Sequence, residues 1–221
     1  GNTMPLLKEK DQQAVRERFA KELKNPVKIN FFFSREDTSE ETRITGELMD
    51  EIGGLSEGKL DVESIEGKDS ERARRLRVDK MPALVIYGDG DERDNIRFFG
   101  LPAGHEFATL LHTLITVSND YHVELPDALV EKVRAIDKPV KIQVFVTTSC
   151  PHCPPAVVVS HYFAMLNPMI TSEMIEANQF DDLSRRYGVQ SVPMTVINDG
   201  KQTFIGSRKP EELYNAIEKA L

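Results

Sequence analysis

Cys150 and Cys153 are the only two cysteines in the 221-residue chain, and they stand in the run Thr147-Thr148-Ser149-Cys150-Pro151-His152-Cys153-Pro154-Pro155. The β-branched and aromatic run Ile142–Val146 precedes them and an apolar helical pattern, Ala156–Leu166, follows, which predicts that both sulfurs sit where a strand hands over to a helix. Pro151 suits the first helical position, where a missing N–H costs nothing. Unpaired N–H groups and the positive end of the helix dipole then favour the thiolate of Cys150 over its thiol, and a protonated His152 adds a second positive contribution. The thiolate is the species that attacks a disulfide, and Cys153, one turn deeper on the same face, is placed to attack the mixed disulfide that results. The expected chemistry is dithiol-disulfide exchange, with Cys150 as nucleophile and Cys153 as resolving thiol. Pro154 and Pro155 cannot donate to the carbonyls of Cys150 and Pro151, which predicts a distorted second turn.

Two other roles for the pair carry less weight. As a structural staple it would close too short a loop to constrain the unfolded chain much. As a metal site it lacks ligands: His161 follows Cys153 by eight residues, but no second C-x-x-C and no H-x-x-x-H completes a zinc tetrad, and an iron-sulfur cluster would need cysteines from another chain. His105, His112 and His122 read as surface or core histidines. No metal is expected. Arg72, Arg74, Arg75 and Arg77 form a basic run best read as a solvated helix end. Gly53-Gly54 and the acidic turns lack the context of a phosphate loop, so no cofactor is expected on this chain beyond the redox-active disulfide; NADPH and flavin must belong to a partner.

Composition narrows the setting. Acids outnumber bases, 36 to 28, for a net charge of −8, which disfavours nucleic acid as a partner. The fullest apolar windows, Met81–Tyr87 and Phe107–Val117, fall short of the roughly 18 residues of a membrane span. Lys8, Glu9, Lys10 and Asp11 stand where a signal peptide would be apolar, so the expected location is cytoplasmic, where a close cysteine pair is more often catalytic or metal-binding than structural. Gly1–Thr3, ahead of Met4, read as an expression scar.

The chain also repeats itself, and this sets the architecture. Val27–Phe33 (VKINFFF) matches Val140–Val146 (VKIQVFV), each entered after a proline; Arg72–Val78 and Asp182–Val189 lead to Met81-Pro82 and Val192-Pro193; strand patterns follow at Ala83–Tyr87 and Met194–Ile197. Turns at Gly88–Gly90 and Asn198–Gly200 predict hairpins, second strands lead to Gly100 and Gly206, and helices near Ala103–Val117 and Pro210–Leu221 close the halves. Helices Leu6–Lys24 and Asp127–Ile136 open them, with Ser118–Pro126 as the junction. The fold class is therefore α/β, two copies of one βαβ…ββα unit, each a mixed sheet flanked by helices. The expected domains are 4–118, without redox cysteines, and 119–221, with the Cys-Pro-His-Cys motif. From Thr38 to Pro82 is 44 residues and from Cys150 to Pro193 is 43, so Thr38-Ser39-Glu40-Glu41 is expected to replace the cysteine pair with a capping box between Thr38 and Glu41. Pro193 is expected to be cis, leaving the Val192 backbone to face Cys150 and pair with an extended substrate; Pro151, His152, Val192 and Pro193 are the candidate groove residues.

Cys150-Pro151-His152-Cys153 after a strand, with Ser191-Val192-Pro193 downstream, resembles the redox motif and cis-proline loop of the thioredoxin and glutaredoxin superfamily. From Leu6 to Leu221 the chain is similar to the tandem protein disulfide oxidoreductases of thermophiles, especially at Phe99–Phe107 (FGLPAGHEF) and Phe145-Val146-Thr147. The second half, with Leu166-Asn167-Pro168, also resembles the N-terminal region of the flavoprotein that reduces alkyl hydroperoxide peroxiredoxins, where only the second fold keeps its cysteines. The resemblance implies two tandem thioredoxin-like folds, exchange with protein disulfide or dithiol substrates, and electrons from a thioredoxin-reductase-like flavoprotein. A narrower variant is electron donation to a peroxiredoxin; a different class is a non-enzymatic adaptor that uses the tandem folds for binding and has a redox-inert pair. In either case residues 6–117 are expected to serve as a scaffold or docking unit. Thioredoxins carry a buried acid in the strand before the cysteines. Ile142–Val146 has none, which leaves Glu173 or Glu176 to assist Cys153.

Overall fold

The computed structural model describes residues 4–221; Gly1–Thr3 lie outside them. Strands β1 (Val27–Phe33), β2 (Leu60–Glu66), β3 (Ala83–Gly88) and β4 (Ile96–Phe99) come from the first half, and β5 (Val140–Val146), β6 (Ile170–Glu176), β7 (Met194–Ile197) and β8 (Gln202–Ile205) from the second. The helices are α1 (Glu9–Glu22), α2 (Glu40–Gly54), α3 (Glu71–Arg75), α4 (His105–Ser118), α5 (Asp127–Arg134), α6 (Cys153–Leu166), α7 (Asp181–Arg186) and α8 (Pro210–Ala220). The order within each half is that of the repeat: a parallel β1–β2 or β5–β6 pair, then antiparallel β3–β4 or β7–β8.

The sequence predicts two sheets; the structure has one. Its eight strands run β2-β1-β3-β4-β6-β5-β7-β8, and the halves meet where β4 pairs in parallel with β6, Ile96–Phe99 against Ser172–Ile175. An edge strand on either half would expose a row of unpaired N–H and C=O groups. Joining the two edges satisfies those groups and buries Phe98 and Phe99 completely. The copies therefore lie side by side along a sheet and both open at the same end of it.

Alternating residues of the strands feed two cores. One face carries a continuous apolar layer in which Phe19, Met49, Ile52, Leu110, Leu114, Phe163 and Ile217 from the long helices cover Ile29, Leu84, Phe98, Ile142 and Val144. The other face, under α3 and α7, packs Phe32, Val85, Phe99, Phe145, Ile175 and Val196. Because one layer runs through both halves, the first half supports the helix that carries the cysteines.

Several boundaries differ from those read in the sequence. Leu6 and Leu7 do not join the first helix, because their amides donate to the Glu51 carboxylate at 2.8 and 2.9 Å. The fourth helix starts at His105 rather than Ala103, since Gly104 at φ 61° and ψ −131° cannot continue it. No helix among the described residues is long and apolar enough to cross a membrane.

Candidate functional site

The strand β5 ends at Val146, and the Cys150 amide closes a turn on the Thr147 carbonyl at 3.3 Å. Helix α6 begins at Cys153 with His152 as its N-cap, so Pro151 precedes the helix instead of occupying its first position. Pro154 and Pro155 then fall in the first turn, where amides have no intrahelical acceptor, and the predicted distortion of a second turn is absent for that reason. They do change the electrostatics. Of the first four helical positions only Cys153 and Ala156 retain an N–H to point at a sulfur.

Cys150 and Cys153 are joined as a disulfide, with Cα atoms 5.5 Å apart. Cys150 is 8% exposed and Cys153 is sealed at 0%, so an approaching partner meets Cys150 first. The Val192 carbonyl lies 3.8 Å from Cys150 Sγ, and the Val192–Pro193 bond is cis, as the spacing predicts. Met81–Pro82 is cis in the matching place of the first half. Pro151 and His152 are exposed beside the pair, Val192 is half-buried, and Pro193 is buried beneath it. The structure thus brings all six predicted residues together.

The two acids proposed from sequence are otherwise engaged. Glu173 alternates to the face away from α6, where Lys80 Nζ at 3.0 Å, Arg97 Nε at 3.4 Å and the Gln143 amide at 3.0 Å surround it. Glu176, held above the usual carboxylate range by burial, accepts the Asn178 amide at 2.9 Å. A third acid has no counterpart in the sequence reading. Glu106, in the first turn of α4, is 0% exposed, neither oxygen has a hydrogen-bond partner among the described residues, and burial pushes its pKa up to about 7. It adjoins the redox turn: the preceding amide, His105 N–H, donates to the Thr148 carbonyl at 2.9 Å, and α4 packs along α6. The sequence does hold a signal for it, since Glu106 shares a helical face with Thr109, Leu110 and Thr113, all buried.

His161, the imidazole nearest in sequence to a zinc reading, is buried on α6 with Nδ1 2.7 Å from Ser172 Oγ, and burial lowers its pKa to about 3. It is a neutral core histidine. Among the described residues no three His, Cys, Asp or Glu side chains gather as a metal site requires. Three arginines of the basic run are paired, Arg72 with Glu63, Arg75 with Glu71 and Glu92, and Arg77 with Asp94, while Arg74 donates to the Asp69 backbone carbonyl at 2.7 Å.

In the first half, the position of the cysteine pair is occupied differently from the count that starts at Thr38. Phe33 and Val146 end matching strands, and Glu40 and Cys153 begin matching helices, so Asp37 and Glu40 replace Cys150 and Cys153. The capping box between Thr38 and Glu41 does not form. Ser39 is the N-cap instead, its hydroxyl accepting from the Thr42 amide at 3.3 Å, while Asp37 accepts from the Ser39 amide at 2.9 Å and the Thr42 hydroxyl at 2.6 Å. Burial works to raise the Asp37 carboxyl, but those hydrogen bonds prevail and hold it below its ordinary value.

Comparison with known proteins agrees with this geometry. Residues 140–218 match the thioredoxin domain. The chain is 28% identical over 183 residues to the F subunit of alkyl hydroperoxide reductase from Pseudomonas aeruginosa, covering 82% of this chain and 32% of that protein. It is 24% identical over 191 residues to a NADH dehydrogenase of Bacillus subtilis, covering 86% and 34%. The chain therefore spans about a third of the length of these curated relatives. Among solved structures, the alkylhydroperoxide reductase AhpF of Enterococcus faecalis superposes with a TM-score of 0.85 at 28% identity, covering 96% of this chain and 99% of that one. A protein disulfide oxidoreductase from Aeropyrum pernix does so with a TM-score of 0.83 at 28% identity, covering 96% and 92%.

Proposed function

Since this chain belongs to the thioredoxin-like superfamily, with two such folds in tandem and one cysteine pair between them, we propose that it is a thiol-disulfide oxidoreductase acting on protein partners. The observation that carries the reading is the placement of the pair. Cys150 is the outer sulfur at a helix start, beside the cis-proline loop, and Cys153 is sealed behind it. In the reduced protein the Cys150 thiolate attacks one sulfur of a partner disulfide, and the partner's other sulfur leaves as a thiolate that takes a proton. Cys153 then loses its proton, attacks Cys150 and expels the second partner thiol. Two electrons have moved to the partner and the Cys150–Cys153 disulfide remains. Glu106 is our assignment for the acceptor of the Cys153 proton, because it is an unpartnered carboxyl with a pKa near the working range, next to the redox turn. Val192 offers backbone to an extended segment of the partner, as an added strand would need.

The disulfide must be reduced again by a partner, for which a thioredoxin-reductase-like flavoprotein is the proposed class; no flavin or nicotinamide is assigned to this chain. The names of the relatives favour one narrower reading, electron donation to a peroxiredoxin. Insulin reduction by dithiothreitol tests the general claim. The protein is expected to accelerate it and Cys150→Ser to return it to the uncatalysed rate; equal rates with and without protein would instead favour a redox-inert adaptor. Reduction of a purified peroxiredoxin by the prereduced protein tests the narrower one.

A further inference from the structure

We propose that the loop Gly100–His105 of the first half is the positioning element of the cysteine pair, with Gly104 as the residue that lets the His105 amide reach and hold the Thr148 carbonyl. This deepens the disulfide-exchange reading and rests on it. A Cβ on Gly104 would lie 2.3 Å from Thr148 O and 3.0 Å from Thr148 C, both backbone atoms that no side-chain rotation can clear. The glycine is also at positive φ, where an L side chain is strained. What that absence of a side chain permits is the 2.9 Å hydrogen bond from His105 N–H to Thr148 O, inside the turn that the Cys150 amide closes on Thr147.

The loop is pinned at its other end as well. Leu101 N–H donates to Gln179 Oε1 at 2.7 Å, and Gly100, at φ 95°, leaves room for Glu176, whose Cβ would be 2.7 Å from a Cβ there. The redox turn thus touches loops from both halves: Cys150 Sγ lies 3.8 Å from the Val192 carbonyl, and Thr148, two residues before Cys150, accepts from His105 N–H. The repeat supplies an internal contrast. Gly206 matches Gly100 and has nearly the same φ, 92° against 95°, yet nothing among the described residues lies within 4 Å of its would-be Cβ, because β8 is the outer strand of the sheet they form. Crowding at Gly100 and Gly104 is a product of the halves being placed side by side. The reactivity of Cys150 is consequently set in part by residues outside 140–218.

Gly104→Ala tests this against Gly58→Ala, which has φ 82° and no neighbour within 4 Å, so that it adds backbone strain without a contact. The readouts are the pH midpoint of iodoacetamide alkylation at Cys150 in the reduced protein and the rate of insulin reduction. Gly104→Ala is expected to raise the midpoint and slow exchange about tenfold or more, as misplacement of a reacting atom does. Gly58→Ala is expected to leave both at their original values. A Gly104→Ala protein that matches the unsubstituted one in both would overturn the proposal. If Gly104→Ala does not fold, amide hydrogen exchange decides: a His105 N–H that exchanges slowly supports the clamp, and one exchanging at the free-peptide rate overturns it. If the unsubstituted protein catalyses no insulin reduction, the functional reading fails, while the midpoint and the His105 amide still decide the clamp.

Discussion

The two halves begin the same helix in two ways. After β1, Asp37 accepts from the Ser39 amide and the Thr42 hydroxyl, and Ser39 accepts from the Thr42 amide of α2, so the first half's helix start is tied by its own hydrogen bonds. After β5, the matching positions carry two sulfurs, and prolines remove two of the amides that a cap would use. The same strand, turn and cis-proline surround both. A fold that can stabilise an anion at a helix N-terminus can use that capacity either for a permanent cap or for a thiolate, and the residues at two positions decide which. The first half carries a hydrogen-bonded cap where the second carries the sulfurs, and it supports the second through the shared sheet and core.

That contrast is open to attack by substitution. The largest expected effect is at Cys150: Cys150→Ser should reduce insulin turnover to background, whereas Asp37→Ala, at the matching position of the first half, should leave the rate unchanged. A loss of rate with Asp37→Ala would break the division of labour. Next is Glu106. Glu106→Gln should slow exchange about a hundredfold, in the range of a lost acid-base group. Its stability signature has a definite sign. The folded pKa, about 7, lies above the 4.5 of an unperturbed glutamate, so between those values the native state holds a proton that the unfolded chain has released, and stability falls as pH rises through that window. Glu106→Gln has no such proton to lose. By chemical denaturation it should be more stable than the unsubstituted protein by about 3 kcal/mol at pH 8 and equal to it at pH 4. The smallest effect is at the cap: Ser39→Ala should cost about 1 kcal/mol of stability in urea with no change in exchange rate.

How much of this is legible without the structure depends on the range of the interactions. β1 and β5 have the bounds Val27–Phe33 and Val140–Val146 read from their apolar runs, and the Val192–Pro193 bond is cis, because repeat spacing and local pattern encode such features. Taking Thr38 as the counterpart of Cys150 misplaces the first-half site by one residue: Cys150 lies four residues beyond the strand end Val146, and four beyond the matching strand end Phe33 is Asp37. Taking Pro151 as the first helical residue, in place of Cys153, likewise turns Pro154 and Pro155 into an expected distortion. The union of the sheets through β4 and β6 is not legible, because Ile96–Phe99 and Ile170–Glu176 read as ordinary strands whichever partner they take. For Glu106 the pattern of α4 signals burial but not what it is buried against. Its burial beside the redox turn depends on packing between the halves, through the His105 amide on Thr148 and α4 along α6.

The central claim is that Cys150 attacks and Cys153 resolves, and it is tested most directly by removing the resolving step. Reduced Cys153→Ser, mixed with a protein disulfide and analysed by non-reducing mass spectrometry, should accumulate a covalent adduct at Cys150 that dithiothreitol releases. No adduct, under conditions in which the partner disulfide is accessible to dithiothreitol, would contradict it.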